Sequence, residues 1–153
     1  MVKTSDHDIV SFRVFDAPIK RIWEAFTNPG TLARWWGPEG FTNVFEVFDL
    51  RAGGEWRFTM RAPNGDEYPM RKIFVEIVTP ERIVFDHPDP VHGHRMTMTL
   101  RETETGNGTE MTWHMHFDTA EEAVRVRAFI KAANEQNFDR LRTQLAAAEI
   151  VPL

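Results

Sequence analysis

The sequence predicts an α+β protein with one antiparallel sheet of about seven strands, two short helices after the first strand and a long C-terminal helix. Three observations lead to this fold class. Apolar and polar residues alternate through most of residues 42–118, as they do in strands with one buried face. Five turn sequences divide that region into segments of strand length. Residues 120–148 contain neither Gly nor Pro, which is typical of a long helix.

The first strand and the two short helices occupy the N-terminal part of the chain. The segment "HDIVSFRVFDA" alternates like a half-buried strand, and the strand is predicted to end at Asp16. Pro18 fits the first turn of a helix, and four apolar residues follow it at helical spacing: Ile19, Ile22, Trp23 and Phe26. The segment "NPG" breaks that helix, and "TLARWW" allows one or two further turns before Gly37 and Pro38.

Six strands are predicted between Thr42 and Asp118. The turn sequences "RAGGE", "APNGDE", "TPER", "HPDPVHG" and "TGNGT" separate them, so sequential hairpins in an antiparallel meander are expected. One face of the strands is predicted to be apolar and buried: Trp56, Phe58, Met60, Ile73, Val75, Ile77, Met96, Met98, Leu100, Met111, Trp113, Met115 and Phe117. The opposite face carries Arg, Thr and His residues.

The long C-terminal helix is predicted to cover the apolar face of the sheet. Thr119 fits an N-cap because Glu122 follows it three residues later. The inner stripe of the helix is predicted to contain Val126, Phe129, Ile130, Ala133, Asn137, Phe138, Leu141 and Leu145. The chain shows no repeat and no linker, so residues 1–153 are predicted to form one domain with a core of about 8–147.

Composition excludes several classes of function. The 153 residues are 42% hydrophobic and include no Cys, which excludes disulfides, thiolate metal sites and cysteine nucleophiles. The start has no apolar signal core, and no segment approaches the roughly 20 apolar residues of a membrane span, so we expect a cytoplasmic protein without a membrane span. The net charge is −5 and there is no long basic block. Nucleic acid is therefore not an expected partner.

Several motifs resemble a known superfamily. They are "FDAPIKRIWEAFTNPGTLARWWGPEG", "FDLRAGGEWRFTMRAPNGDEYPMRKIFVEIVTPERIVF" and "NFDRL". Over about residues 8–147 the chain is similar to the SRPBCC or START-like superfamily, and within it to the bacterial branch named after the C-terminal domain of the activator of the heat-shock-protein-90 ATPase. The resemblance implies a helix-grip fold, in which a strongly curved sheet wraps the C-terminal helix and leaves a cavity roofed by the short helices.

The resemblance leaves three functions open. Superfamily members bind lipids, sterols, polyketides or plant hormones, and some catalyse cyclisation or hydrolysis. The preferred hypothesis is non-catalytic binding of a small hydrophobic or amphipathic ligand in the cavity. The alternatives are a chaperone partner that activates the heat-shock ATPase, and a polyketide cyclase or hydrolase using Tyr68, Arg71 or Asn134. Asn134 marks a departure, since it and Ala133 stand where the family has a Gly-Trp pair.

The cavity is predicted from the apolar faces of the strands and of the helix. Met side chains adapt to a flexible guest, so a Met-rich and aromatic face suits an apolar ligand. The candidate ligand-binding residues are Trp35, Trp36, Trp56, Phe58, Met60, Tyr68, Met96, Met98, Trp113, Met115, Phe129, Asn134 and Phe138. No cofactor is expected, and the protein is expected to be a monomer or a homodimer.

The segment "RWWGPEG" places two tryptophans at the predicted end of a helix. Adjacent helical residues point about 100° apart, so Trp35 and Trp36 cannot occupy the same space. One is predicted to pack in the core beneath the short helices. The other is predicted to face the mouth of the cavity.

Two kinds of polar cluster could form a metal site or a catalytic site. His92 and His94, and also His114 and His116, form His-x-His pairs that could hold a metal ion. A zinc site needs three or four convergent ligands, and the second pair is predicted to lie on the outer face, so no metal is expected. The carboxylate pairs Glu46 with Glu76 and Asp49 with Glu55 are predicted to lie on the outer face or in turns, balancing arginines, so no catalytic residue is proposed from them.

Overall fold

The computed structural model describes residues 5–149, and its secondary structure confirms the predicted α+β class. The elements in chain order are β1 (Asp8–Phe15), α1 (Ile19–Thr27), α2 (Pro29–Trp35), β2 (Thr42–Phe48), β3 (Glu55–Arg61), β4 (Glu67–Val78), β5 (Arg82–His87), β6 (His94–Glu102), β7 (Thr109–Phe117) and α3 (Ala120–Glu149). Residues 1–4 and 150–153 of the predicted domain lie outside the described residues.

All seven strands form one antiparallel sheet in the order β1-β7-β6-β5-β4-β3-β2. Strands β2 to β7 pair with their neighbours in the chain, which confirms the predicted meander. The first strand instead pairs with the last, and Ile9 lies opposite Met115. On β1 the buried residues are Asp8, Ile9, Ser11 and Phe15, whereas Phe12 and Val14 are exposed.

Local sequence signals fix the helix starts. Asn28 caps α2 by accepting a hydrogen bond from the backbone N–H of Thr31 at 3.1 Å, and Pro29 occupies the first turn. Thr119 caps α3 as predicted, since its hydroxyl accepts the N–H of Glu122 at 3.2 Å. Within residues 5–149, none of the helices combines the length and the apolar character that crossing a membrane requires.

The predicted buried face of β4 is wrong at Ile73 and Val75. Lys72 and Phe74 are buried, whereas Ile73 is only half-buried and Val75 is 36% exposed. The pairing between β4 and β5 shifts register between Phe74 and Glu76, as at a β-bulge. The extra residue changes the alternation, so that Ile77 packs against the core although it is an odd-numbered residue.

The predicted inner stripe of α3 is wrong at one position. Phe129 is 72% exposed, whereas Phe138, Leu141 and Leu145 are buried. Twelve residues separate Phe129 from Leu141, which at 100° per residue places the two side chains about 120° apart around the helix. Phe129 therefore projects towards solvent.

Candidate functional site

The segment 34–40, here called the tryptophan turn, sends its two indoles into different parts of the core. The Trp35 indole N–H donates to the Ala25 carbonyl at 3.1 Å, and its ring packs edge-on against Phe26 under the short helices. Trp36 faces the sheet, where its ring centroid lies 5.1 Å from that of Trp56 and 5.3 Å from that of Trp113. Trp36 is thus the tryptophan that meets the buried face of the strands.

Helix α3 holds the tryptophan turn by hydrogen bonds to its backbone. The Asn137 amide donates to the Trp35 carbonyl at 2.7 Å, and its carbonyl oxygen accepts the N–H of Gly37 at 3.1 Å. The Arg140 guanidinium donates to five backbone carbonyls at 2.8–3.0 Å, those of Arg34, Trp36, Gly37, Pro38 and Phe41. The position of Trp36 therefore depends on two polar side chains of α3.

Gly37 is required by the geometry of this turn. Its φ of +97° lies in the left-handed region, which L side chains rarely adopt. A Cβ at this position would also lie 2.6 Å from the methyl carbon of Met60. The motif Trp-Trp-Gly-Pro thus encodes both a sharp turn and a close approach to the sheet.

An apolar pocket lies between the short helices, Trp36 and the buried face of the sheet; we call it the aromatic pocket. Its lining residues are Phe26, Leu32, Trp36, Phe48, Leu50, Trp56, Phe74, Ile83, Phe85, Met96, Met98 and Trp113. Its free volume is ≈ 20 Å³, which is room for about one water molecule. Aromatic side chains therefore fill most of the space under the short helices.

Two tryptophans that line the aromatic pocket carry a hydrogen-bond donor with no acceptor among the described residues. The donors are the indole N–H groups of Trp56 and Trp113. Both side chains are only 2% exposed, and an unpaired buried donor costs about 1–3 kcal/mol. Nearly all buried polar groups in proteins have a partner, so these two unpaired donors are unusual.

The predicted cavity residues fall into three groups. The aromatic pocket is lined by Trp36, Trp56, Met96, Met98 and Trp113. The buried residues outside its lining are Trp35, Phe58, Met60, Met115, Asn134 and Phe138. Tyr68 is 47% exposed and Phe129 is 72% exposed, so neither has the buried position that the sequence prediction gave it.

Asn134 and Arg71 have protein partners rather than a place in the pocket. The Asn134 amide donates to the Ser11 hydroxyl at 3.2 Å, in the contact between α3 and β1. Arg71 is exposed and pairs with Glu55 at 2.7 Å. The residues proposed for catalysis are therefore not brought together at the aromatic pocket.

The sequence prediction missed Lys72, which is the unusual polar group of the buried face. It is 4% exposed, and its Nζ lies 3.4 Å from His87 Nδ1 and 5.1 Å from the centroid of the Phe85 ring. His94 follows in register, with its ring centroid 5.2 Å from that of His87. Lys72, His87 and His94 thus form a side-by-side set on neighbouring strands, here called the basic row.

The basic row carried no clear signal in the sequence. Alternation through "PMRKIFVEIV" places Lys72 on the outer face if it is counted back from Ile77, and only the bulge in β4 reverses that assignment. The missed aromatic lining has a simpler origin. The end of β2, the following loop and β5 were not predicted to line a cavity. They contribute Phe48, Leu50 and Phe85 to the lining of the pocket.

The outer-face candidates pair with Asp8 or with arginines. His114 Nε2 and His116 Nδ1 lie 2.7 and 2.9 Å from the same oxygen of Asp8. Within residues 5–149 no group of three or more His, Asp or Glu side chains has the arrangement of a metal site. Each of the four carboxylates forms an ion pair with an arginine, as balanced surface charges do. The pairs are Glu46 with Arg57, Asp49 with Arg51, Glu55 with Arg71 and Glu76 with Arg82.

Solved structures of similar fold come from several bacteria. A protein from Nitrosomonas europaea is 20% identical, with a TM-score of 0.85 and coverage of 97% of this chain and 99% of that chain. A Rhodobacter sphaeroides protein is 24% identical, with a TM-score of 0.85 and coverage of 95% and 97%. The AHSA1 protein from Silicibacter pomeroyi is 16% identical, with a TM-score of 0.75 and coverage of 92% and 99%. At these identities the likeness shows the fold.

The family is shown by the sequence itself. No curated protein matches the chain significantly. The model of the family described as "Activator of Hsp90 ATPase homolog 1-like protein" matches residues 16–147, which include the tryptophan turn, the whole meander and Arg140. This family is of a ligand-binding or activator type. The chain belongs to the Activator of Hsp90 ATPase homolog 1-like protein family.

Proposed function

We propose that the aromatic pocket binds a small planar aromatic ligand that carries an acceptor oxygen, and that it does so without catalysis. The observation that carries this proposal is the pair of unpartnered indole N–H groups of Trp56 and Trp113 inside an otherwise apolar lining. An acceptor oxygen would remove the cost of an unpaired donor. Aromatic rings around it would contact the faces and edges of a flat molecule.

The chemistry of the lining supports binding rather than catalysis. The side chains that line the pocket are those of Phe, Leu, Ile, Met and Trp, which supply neither a nucleophile nor a general acid or base at neutral pH. Reaction in this pocket would require a group from outside its lining. Retention of a ligand requires only shape, apolar contact and a hydrogen bond.

A ligand of benzene size needs more room than the closed pocket offers. Trp36 and Leu50 are the lining residues that lie outside the helices and strands, and Trp36 contacts the rings of both Trp56 and Trp113. In this proposal the Trp36 indole moves to admit the ligand. Burial of about 150 Å² of ring surface contributes about 4 kcal/mol at about 25 cal/mol per Å², and the displacement of Trp36 offsets part of it.

Two ligands of the same shape test the role of the indole donors. Acetophenone and isopropylbenzene differ in that the ketone supplies an acceptor oxygen. We expect acetophenone to bind about fivefold more tightly, since one added hydrogen bond contributes about 1 kcal/mol. The measurement is a titration followed by the indole ¹H–¹⁵N signals in NMR, in which the Trp56 or Trp113 signal moves downfield with acetophenone alone.

Matched variants complete this experiment. Trp56→Phe and Trp113→Phe should each identify one indole signal, and at least one should abolish the preference for the ketone. Trp23→Phe is the control, because Trp23 is buried outside the pocket lining. Failure of both ligands to perturb any pocket signal at millimolar concentration would contradict the proposal, as would equal affinity for the two.

A further inference from the structure

Lys72 is a buried cation without an anion. Its side chain points into the concave face between Trp56, its register partner on β3, and Phe85 on β5. Within the described residues it forms no ion pair, and its polar contact is the His87 imidazole at 3.4 Å. Buried charges in proteins are normally paired, so the missing partner calls for a reason.

The acids nearest in sequence to the basic row already have partners. Asp86 accepts two hydrogen bonds from Arg95, at 2.7 and 3.0 Å. Asp89 accepts the backbone N–H groups of Val91 and His92. Lys72 itself contacts the His87 imidazole and the Phe85 ring, whereas Asp89 and Asp86 act on His87 and His94 through their charge without forming an ion pair with Lys72.

Burial lowers the pKa values of the basic row, and the charge of Lys72 lowers those of the two histidines further. Burial lowers the pKa of Lys72 to about 7. Burial, followed by the charge of Lys72, lowers the pKa of His87 to about 4 and that of His94 to about 3. An anion placed among these groups would favour their protonated forms, so its binding at pH 7–8 would take up protons.

The basic row lies between the aromatic pocket and the surface. Trp56 and Phe85, which flank Lys72, both line the aromatic pocket. On the other side, His87 and His94 line an open surface recess of ≈ 420 Å³. Trp56 and Phe85 are thus shared between the lining of the aromatic pocket and the surroundings of Lys72.

We propose that Lys72, with His87 and His94, binds the carboxylate of an aromatic acid whose ring occupies the aromatic pocket. This inference rests on the proposed function and specifies its ligand class. The carboxylate supplies the counter-ion that Lys72 lacks and accepts its N–H donors, while the imidazoles donate or stay neutral as the pH requires. The ligand is then an amphipathic anion rather than a neutral aromatic compound.

The test compares acids with ketones of the same shape. Benzoate, phenylacetate and 3-phenylpropionate place the carboxylate at three distances from the ring, and each is compared with the methyl ketone that replaces one oxygen by a methyl group. We expect at least one acid to bind at least tenfold more tightly than its ketone at pH 6. Above pH 7 that preference should fall by up to about tenfold per pH unit as Lys72 loses its proton.

Variants and proton counting separate the possible outcomes. Lys72→Met should abolish the preference for the acid and keep the affinity for the ketone, whereas Lys20→Met, on the exposed side of α1, should change neither. Calorimetry in two buffers should show proton uptake at pH 7.5. The charged and titratable groups that act on the row from outside it are Asp89 and His92, which lie near His87, and Asp86, which lies near His94.

Each result decides between the two proposals. If a ketone binds but no acid is preferred, the basic row is not a carboxylate site and the aromatic pocket still binds ligands. If neither acids nor ketones bind, the proposed function falls with it. A preference for the acid that persists in Lys72→Met, or that does not change between pH 6 and 9 in the unmodified protein, would overturn the assignment to Lys72.

Discussion

At the scale of single residues, a lysine among aromatic rings lowers the stability of the folded state. Its ordinary pKa is 10.5, and burial lowers it to about 7 in the folded protein. Between these two values the unfolded chain binds a proton that the folded protein does not, so stability rises with pH across this window. Below about pH 7 the full cost of burying the ammonium is present. A residue retained at such a cost is a candidate for function.

The stability of a Lys72→Met variant tests this cost. Met has a similar length and no charge, so we expect the free energy of unfolding at pH 6.5 to rise by about 1–3 kcal/mol. The gain should shrink as the pH rises from about 7 towards 10.5, because the folded protein then holds Lys72 without its proton and the cost of burying an ammonium falls. Urea unfolding at pH 6.5 and 9.5 measures both effects. Lys20→Met should remain within about 0.5 kcal/mol of the parent, and a less stable Lys72→Met at pH 6.5 would contradict the account.

At the scale of elements, α3 does more than cover the sheet. Asn137 and Arg140 lie one turn apart on this helix and together bind backbone groups along the whole tryptophan turn. Burial lowers the pKa of Arg140, but a guanidinium stays charged at any physiological pH. The helix therefore fixes the one turn that carries Trp36 into the aromatic pocket.

Removal of the Arg140 guanidinium should release that turn. Arg140→Met removes five hydrogen bonds to carbonyl groups, and we expect a loss of about 2–4 kcal/mol in the free energy of unfolding. The Trp36 indole signal should broaden or shift in NMR while the β-sheet amide signals stay in place. Arg142→Met is the matched control, because Arg142 is exposed and contacts Asp139 at 3.4 Å. Equal effects of the two variants would show that Arg140 has no special role.

The elements also show which parts of the fold can be predicted from the sequence. Turn residues and alternation predicted all seven strands, and the capping pattern predicted the contact between Thr119 and Glu122. The alternation of apolar and polar residues could not predict the bulge after Phe74, because the extra residue depends on the pairing of β4 with β5. For the same reason the alternation did not place Lys72 on the buried face. Only five of the thirteen predicted cavity residues line the aromatic pocket. Which apolar residues enclose a space depends on side-chain packing between distant elements.

At the scale of the whole molecule, the basic row makes the fold sensitive to acid. His87 and His94 have folded pKa values of about 4 and about 3, below the ordinary value of 6.5. The unfolded chain therefore takes up protons first as the pH falls through 6.5, and stability is lost from there down to about pH 3. Burial acts to raise the pKa of Asp8, but hydrogen bonds from His114, His116 and Ser5 together lower it, so this group affects stability below about pH 4 alone.

Urea unfolding at pH 7.0 and 4.5 measures the contribution of the two histidines. We expect the parent protein to lose about 1–3 kcal/mol more than a His87→Phe/His94→Phe variant does over this interval, after discounting for their partial exposure. Asp8 should not contribute, since its carboxylate is ionised at both pH values. His7→Phe is the control, because His7 is a half-buried histidine outside the basic row that stacks on His116. An unchanged pH dependence in the double variant would contradict the assignment.

The pairing of the first strand with the last has a consequence during synthesis. While the ribosome adds the roughly 90 residues between β1 and β7, about 5–20 s pass in which β1 has no partner. The meander can pair hairpin by hairpin as it emerges, whereas β1 and the tryptophan turn must wait for β7 and α3. The fold is therefore completed by a late, long-range strand pairing, and the edge of β7 stays unpaired until β1 adds to it.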